Sequence, residues 1–268
     1  MDSLANRLAA ARVFDLSQPY YPGMPHHPAH PPYLFGLTKL HGDYTLPANG
    51  SSSSDAIACG SHCGTHIDAL SHFSCGGFWF GGKPVEQSST AGMQHHSADR
   101  IGPIVRQAVL LDICAAHGNQ PLGADFVIGP EHLDAAVREQ NVTIAPGSIV
   151  LLRTGWGQYW RDAKHFINEV RGPGPARAGA EWLSSKGIFA VGADTVAFEH
   201  VPDAAMPVHI HLLVESGIHI IECLNLEELA ARRIWTFTFA AAPLKLTGAT
   251  GAPIVPLAIC DSEAAKPF

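Results

Sequence analysis

Residues 147–155, GSIVLLRTG, place a run of apolar side chains between two glycines. Continuous hydrophobicity of this kind marks a strand buried on both faces, as inside a parallel sheet. The neighbouring segments carry another period. GPEHLDAAVREQ (129–140) has Pro near its start and apolar residues at helical spacing, and ARAGAEWLSSKG (176–187) is amphipathic and closes on Gly. AVLLDI (108–113), IFAVGAD (188–194), IHIIECL (218–224) and RIWTFTFAAAP (233–243) read as further strands, with ARVFDLSQ (11–18) as a short first one. Strand and helix patterns are mixed without a domain-sized linker, so the expectation is one α/β domain over residues 1–268.

Two segments fall outside that rhythm. PYYPGMPHHPAHPPY (19–33) is too rich in proline for a helix or a central strand, and is expected to be an extended Pro/His-rich arm, on this chain's surface or a neighbour's. SSSSDAIACG (51–60) is a polar loop entering a β-like run.

A formal net charge of −7 and the absence of a basic patch argue against nucleic acid or an anionic membrane as partner. The chain lacks both a GxGxxG unit between strand and helix and a GxxxxGK[ST] pattern, so no nucleotide cofactor is expected. Neither a secretory leader pattern nor an apolar run of membrane-spanning length is visible. The 6 scattered cysteines read as free thiols in a reducing cytoplasm. The unusual count is 16 histidines, a residue suited to metal ligation and to proton transfer near neutral pH.

Several of those histidines crowd into GSHCGTHIDALSHF (60–73). His62 and His66 are four apart, but Gly64 and β-branched Thr65 between them disfavour a helix. In an extended segment His62, Gly64, His66 and Asp68 share one face. A straight strand would separate His62 from Asp68 by roughly 20 Å, too far for one ion, so the geometry requires a kink, and Gly64 is the residue that permits it. His72 then arrives from the following turn. Two imidazoles and a carboxylate suit a catalytic divalent ion with positions left for water and substrate. A His-rich surface loop that binds nothing is the bland alternative. A structural zinc site using Cys59 and Cys63 lacks the further CxxC such sites need.

HCGTHIDALSHF (62–73) resembles the HxGTHxDxxxH motif of the metal-dependent cyclase-family hydrolases, which include bacterial kynurenine formamidase and isatin hydrolase. GMQHHSADRIGPIVRQAVLLDI, GSIVLLRTGWGQYW, GIFAVGADTVAFEH, VHIHLLVESGIHIIECLNLEELA and FAAAPLKLTGATGAPIVPLAI look like family segments in the family's order, from about residue 12 to about 260. The resemblance implies a mixed β-sheet or barrel with flanking helices, of swivelling β/β/α type. It implies His62, His66 and Asp68 as metal ligands, with His72 as a catalytic histidine or a ligand of a second ion. His209 aligns with a downstream active-site histidine, and Glu222 with a carboxylate that binds the second metal in two-zinc formamidases. Leu70 stands where the formamidases usually carry Pro, which is similar to the isatin-hydrolase branch and its single manganese. Manganese is therefore the first expectation and zinc the alternative, with Glu222 either at a second ion or accepting a hydrogen bond beside the ligands.

Other residues are weighed on their own chemistry. His209 and His211 would share one face of any strand, and one of them is read as a proton carrier. His219 reads as a core histidine, and His95 and His96 point apart in a strand. Phe73, Trp79, Phe80 and Trp156 are candidates for the walls of a pocket for a small aromatic substrate, with Phe78, Tyr159 and Trp160 nearby. Asp194 and Glu199 are read as structural acceptors outside the catalytic set, and Arg153 as a buried cation paired with an acid of the fold.

The combined expectation is a cytoplasmic metal-dependent amidohydrolase that opens a small, aromatic cyclic amide with activated water. Asp68 or His72 would take the proton, and His72 or His209 would return it to the leaving nitrogen. An arylformamidase acting on N-formylkynurenine is the alternative, and a non-catalytic metal- or ligand-binding protein the reading from another class. The resemblance also implies a homodimer or larger homo-oligomer with the arm exchanged.

Overall fold

The computed structural model describes residues 3–261, so the outermost parts of the expected 1–268 span lie outside the described residues. Nine strands share one curled, mixed sheet: β1 (Arg12–Asp15), β2 (His66–Asp68), β3 (Ile104–Asp112), β4 (Ile149–Arg153), β5 (Ala190–Ala193), β6 (His219–Glu222), β7 (Thr236–Ala241), β8 (Gly251–Pro253) and β9 (Leu257–Cys260). Their spatial order is β1-β9-β7-β3-β4-β5-β6-β2-β8. Strands β3 to β6 run parallel, and antiparallel strands extend the sheet on both sides.

The apolar runs explain this centre. Ala108 and Leu110 of β3, with Ile149 and Leu151 of β4, face one core together with Phe14, Phe237 and Phe239. Val109, Leu111, Val150 and Leu152 alternate to the other face. There they meet Leu133 and Ala136 of α1 (Pro130–Gln140) and Ala180 and Leu183 of α2 (Arg177–Ser184). A strand with two buried faces needs no polar alternation.

Arg153, at the end of β4, donates to Asp112 at 2.9 Å and to Glu227 at 2.8 Å, the acidic pairing expected of a buried arginine. Asp194, just past β5, accepts from Thr154 N (2.9 Å), Thr154 Oγ1 (2.7 Å) and Gly155 N (2.9 Å), which makes it a structural acceptor that ties two strand ends together.

Three features add to the expectations or depart from them. Residues 207–216 are helical: a short α-helical turn, Pro207–His209, runs directly into a π-helix, Ile210–Ser216. His209 and His211 therefore do not share a strand face, because two residues along a helix turn through about 200°. Second, the segment after residue 33 forms a hairpin of Leu34–Lys39 with Ser54–Ala58 that leaves Leu34, Phe35, Leu37 and Ile57 exposed. Third, His95 and His96 lie in a bend and not in a strand, with His96 at φ 56°. Among the described residues no helix is long and apolar enough to cross a membrane, and all six cysteines are free.

The proline-rich arm packs on its own chain. Tyr20 donates its hydroxyl to the carbonyls of Cys63 (2.6 Å) and Thr65 (3.0 Å), Tyr21 donates to Trp160 O at 2.8 Å, and Met24 is buried. The arm thereby runs along the segment that carries His62 and His66.

Candidate metal centre

Sheet register assembles the first two donors. Glu222 closes β6, and its partner across the antiparallel ladder is His66 of β2. Side chains directly opposite lie on the same face, which brings His66 Nε2 to 3.4 Å from Glu222 Oε2. Two residues on, Asp68 points the same way, with Oδ1 3.5 Å from His66 Nε2.

His62 precedes the strand and reaches the same point because the chain bends. Gly64 has φ +66°, and a side chain there would strike the Tyr20 ring. The kink deduced from distance is present at that residue. It puts His62 Nδ1 at 2.7 Å from Asp68 Oδ1, while His62 Nε2 contacts Thr250 Oγ1 at 2.8 Å. Gly251 leaves room for the ring: a Cβ there would come within 2.7 Å of His62 Cε1. His66 Nδ1 lies 2.8 Å from Gly64 O, so it donates there and leaves the Nε2 lone pair facing Asp68 and Glu222.

His72 stacks on His62 with ring centres 3.9 Å apart. His209 enters from the short helix, with Nε2 3.4 Å from Glu222 Oε1 and 3.8 Å from Asp68 Oδ2. The donors fall into two triplets sharing Asp68: His62–Asp68–His72 and His66–Asp68–Glu222, each within 4.8 Å. The expected set of His62, His66 and Asp68 is thus split, with His72 and Glu222 completing its halves.

The electrostatics are those of a cation site. Asp68 is fully buried, and neither of its carboxylate oxygens nor His66 Nε2 has a hydrogen-bond partner. Imidazole nitrogens stand 2.7–3.8 Å from its oxygens without hydrogen-bond geometry, and a buried carboxylate held only by such contacts calls for a cation among these atoms. In the metal-free protein protons serve. Burial opposes the charge on His66, yet Asp68 and Glu222 raise its pKa to about 10. The same opposition at His209 is overcome by Glu199, Glu222 and Asp68, again to about 10. Asp68, despite burial, is held well below the usual carboxylate range by the neighbouring imidazoles of His62 and His66. Burial dominates at His72 and pushes it down to about 3. Imidazole and carboxylate donors converging on a buried point fit a divalent ion such as Mn²⁺ or Zn²⁺, which would displace these protons.

The centre forms one wall of a cavity of about 440 Å³. Its apolar side includes Phe73, Val170, Val196 and Met206. Of the four aromatic wall candidates only Phe73 lines it. Trp156 donates its indole N–H to Phe166 O at 2.9 Å and belongs to a buried cluster with Trp160, Trp79 is buried against His95 and His96, and the Phe80 ring lies over Gly217. His96 contacts Phe80 O at 3.1 Å, so neither member of that pair reaches the cavity. His211 turns away to Ser184 and Glu215, and His219 donates from Nδ1 to Asp68 O at 2.8 Å as a satisfied core histidine.

Further residues also serve the centre: His27 and His30, outside the expectations, and Glu199, expected only as a structural acceptor. His27 and His30 of the arm line the cavity, and His30 stacks on His62 at 4.8 Å. Glu199 is buried beside His209. The proline-bracketed PHHPAH could have flagged the arm histidines, whereas nothing local marks Thr250, 188 residues from His62.

Fold and centre together define a single-domain α/β protein with a buried His/Asp/Glu metal-binding pattern on a mixed sheet. The Cyclase family model matches residues 14–200, and the chain belongs to that family. Isatin hydrolase from Roseibium aggregatum is 26% identical over 211 residues, 76% of this chain and 73% of that protein. Kynurenine formamidase from Bordetella petrii is 24% identical over 251 residues, 91% of this chain and 95% of that protein. The crystal structure of a novel cyclase superposes with a TM-score of 0.84 at 29% identity, covering 95% of this chain and 88% of that one.

Proposed function

We propose that this protein is a metal-dependent amidohydrolase that opens a small aromatic cyclic amide, an isatin-like lactam, to its ring-opened carboxylate. The observation that carries the reading is Asp68: a buried carboxylate without hydrogen-bond partners, among imidazoles, on the wall of a cavity of small-molecule size. His62, His66, Asp68 and Glu222, with His72, would hold the ion, Mn²⁺ first and Zn²⁺ as alternative. When bound, such an ion lowers the pKa of water toward neutrality and polarises a carbonyl oxygen.

The chain's own groups do the rest. The free oxygen of Asp68 or the ring of His72 accepts the proton of the attacking water. His72 or His209 then delivers a proton to the leaving nitrogen. Phe73 and the aliphatic wall exclude water and receive an aryl ring. The relative named isatin hydrolase, and Leu70 in the motif, favour the cyclic substrate. The relative named kynurenine formamidase supports the second reading, hydrolysis of N-formylkynurenine, which likewise releases an aryl amine. Six free thiols suit a cytoplasmic location. The exposed apolar residues of the hairpin at 34–58 suit a homodimer or larger homo-oligomer.

The test is an absorbance assay of EDTA-treated protein reconstituted with Mn²⁺ or Zn²⁺, against isatin, N-formylkynurenine and a panel of lactams and imides. Metal-dependent turnover of isatin or another lactam above N-formylkynurenine is expected. Preference for N-formylkynurenine would select the second reading. Stoichiometric metal binding without turnover of any amide would make the protein a metal binder.

A further inference from the structure

Glu199 presents a problem of charge. Its side chain is 1% exposed, and its only ion-pair partner among the described residues is His209. A buried carboxylate needs compensation, and here it comes from three donors on one short helix. Glu199 Oε1 accepts from His209 N at 3.0 Å and lies 2.5 Å from His209 Nδ1, while Oε2 accepts from Val208 N at 3.4 Å. The helix has no side-chain cap of its own, since Met206 occupies the cap position at φ 45°. Glu199 therefore satisfies N–H groups that a helix start leaves without partners.

The same contacts fix His209. With Nδ1 donating to Glu199, the other nitrogen, Nε2, is the atom directed at Glu222 and Asp68. Residue 198 acts on the facing donor: Phe198 N donates to Glu222 Oε1 at 2.8 Å. Two adjacent residues thus hold Glu222 and His209, and His200 N, bonded to Pro175 O at 3.1 Å, anchors the segment.

We propose that Glu199 is a positioning residue of the centre. It holds the proton of His209 on Nδ1 and aims Nε2 at the shared carboxylates, so that the ion-binding strength of the centre depends on a residue that does not face it. His209 acts on the ion through the two carboxylates that its Nε2 faces, Asp68 and Glu222, and loss of a partner that orients such ligands typically costs about 10–100-fold in metal affinity. The proposal rests on the metal-centre reading above.

The test uses Glu199→Gln and Glu199→Ala in the full chain, with folding checked by circular dichroism. Zn²⁺ affinity is measured by competition with a chromophoric chelator. The imidazole N–H protons of ¹⁵N-histidine-labelled protein are followed by NMR, with and without Zn²⁺. In the wild type a downfield, slowly exchanging His209 Nδ1–H is expected with and without metal. Glu199→Ala should lose that signal and weaken Zn²⁺ binding by about 10–100-fold. Glu199→Gln, whose amide oxygen can still accept, should keep a signal shifted upfield and an intermediate affinity. If Glu199→Ala fails to fold, Glu199→Gln decides: affinity within twofold of wild type overturns the proposal. Unchanged affinity or an unchanged N–H signal in folded Glu199→Ala overturns it as well. A wild-type protein that binds no Zn²⁺ would instead count against the metal-centre reading, while the Nδ1–H signal would still report on Glu199.

Discussion

Gly64 is the position where backbone conformation and the centre meet, and Gly64→Ala isolates that link. The residue sits at φ +66°, where an L side chain costs about 1–2 kcal/mol. An alanine Cβ would also fall on the Tyr20 ring, 2.7 Å from its hydroxyl oxygen, so the ring must move. Moving it strains or breaks the hydrogen bonds to Cys63 O and Thr65 O, each worth about 0.5–1.5 kcal/mol net. Adding the backbone cost and two bonds gives about 2–5 kcal/mol, or about 4–20 °C in Tm for a chain of this size. His62 and His66 lie on either side of Gly64, so metal content should fall along with stability. Thermal denaturation with and without Mn²⁺ reads the first effect, and elemental analysis of dialysed protein the second. A second comparison separates the causes: in a Tyr20→Ala background the clash is gone, and Gly64→Ala should cost only its φ penalty. The resulting coupling should exceed about 0.5 kcal/mol, as expected of residues in contact. A Gly64→Ala protein with wild-type Tm and full metal content would refute the claim that this bend brings the donors together.

His66→Ala should abolish both metal content and turnover, and a fully active variant would sink the mechanism. His209→Ala should still bind metal, more weakly, with a lower kcat in the reconstituted assay. Arg153→Met leaves Asp112 buried without its cation and should cost about 3–5 kcal/mol by chemical denaturation, while metal content per folded molecule stays unchanged. In solution, multi-angle light scattering should report at least a dimer, and a clean monomer of 28.5 kDa would contradict the oligomer.

What could be read in advance follows from the range of the interactions. The buried strands announce themselves locally, because burial on two faces forces a continuous apolar run, and β4 is found where GSIVLLRTG places it. The bend at Gly64 was also legible, since a distance limit on His62 and Asp68 leaves the chain no straight solution. The split into two triplets was not, because it depends on β6 pairing with β2 across 156 residues, a register that no local pattern encodes. His209 and His211 show the same limit in smaller form. PVHIHLL carries no capping residue, and its β-branched residues resemble a strand. Yet Glu199, ten residues upstream, accepts the first N–H groups and lets a helix start there. That one buried acid turns His209 toward Asp68 and leaves His211 to Ser184 and Glu215. A residue assigned only a structural role thus decides which of two histidines reaches the centre. Helix start and donor placement are one event here, so a variant that perturbs the start must also perturb the centre.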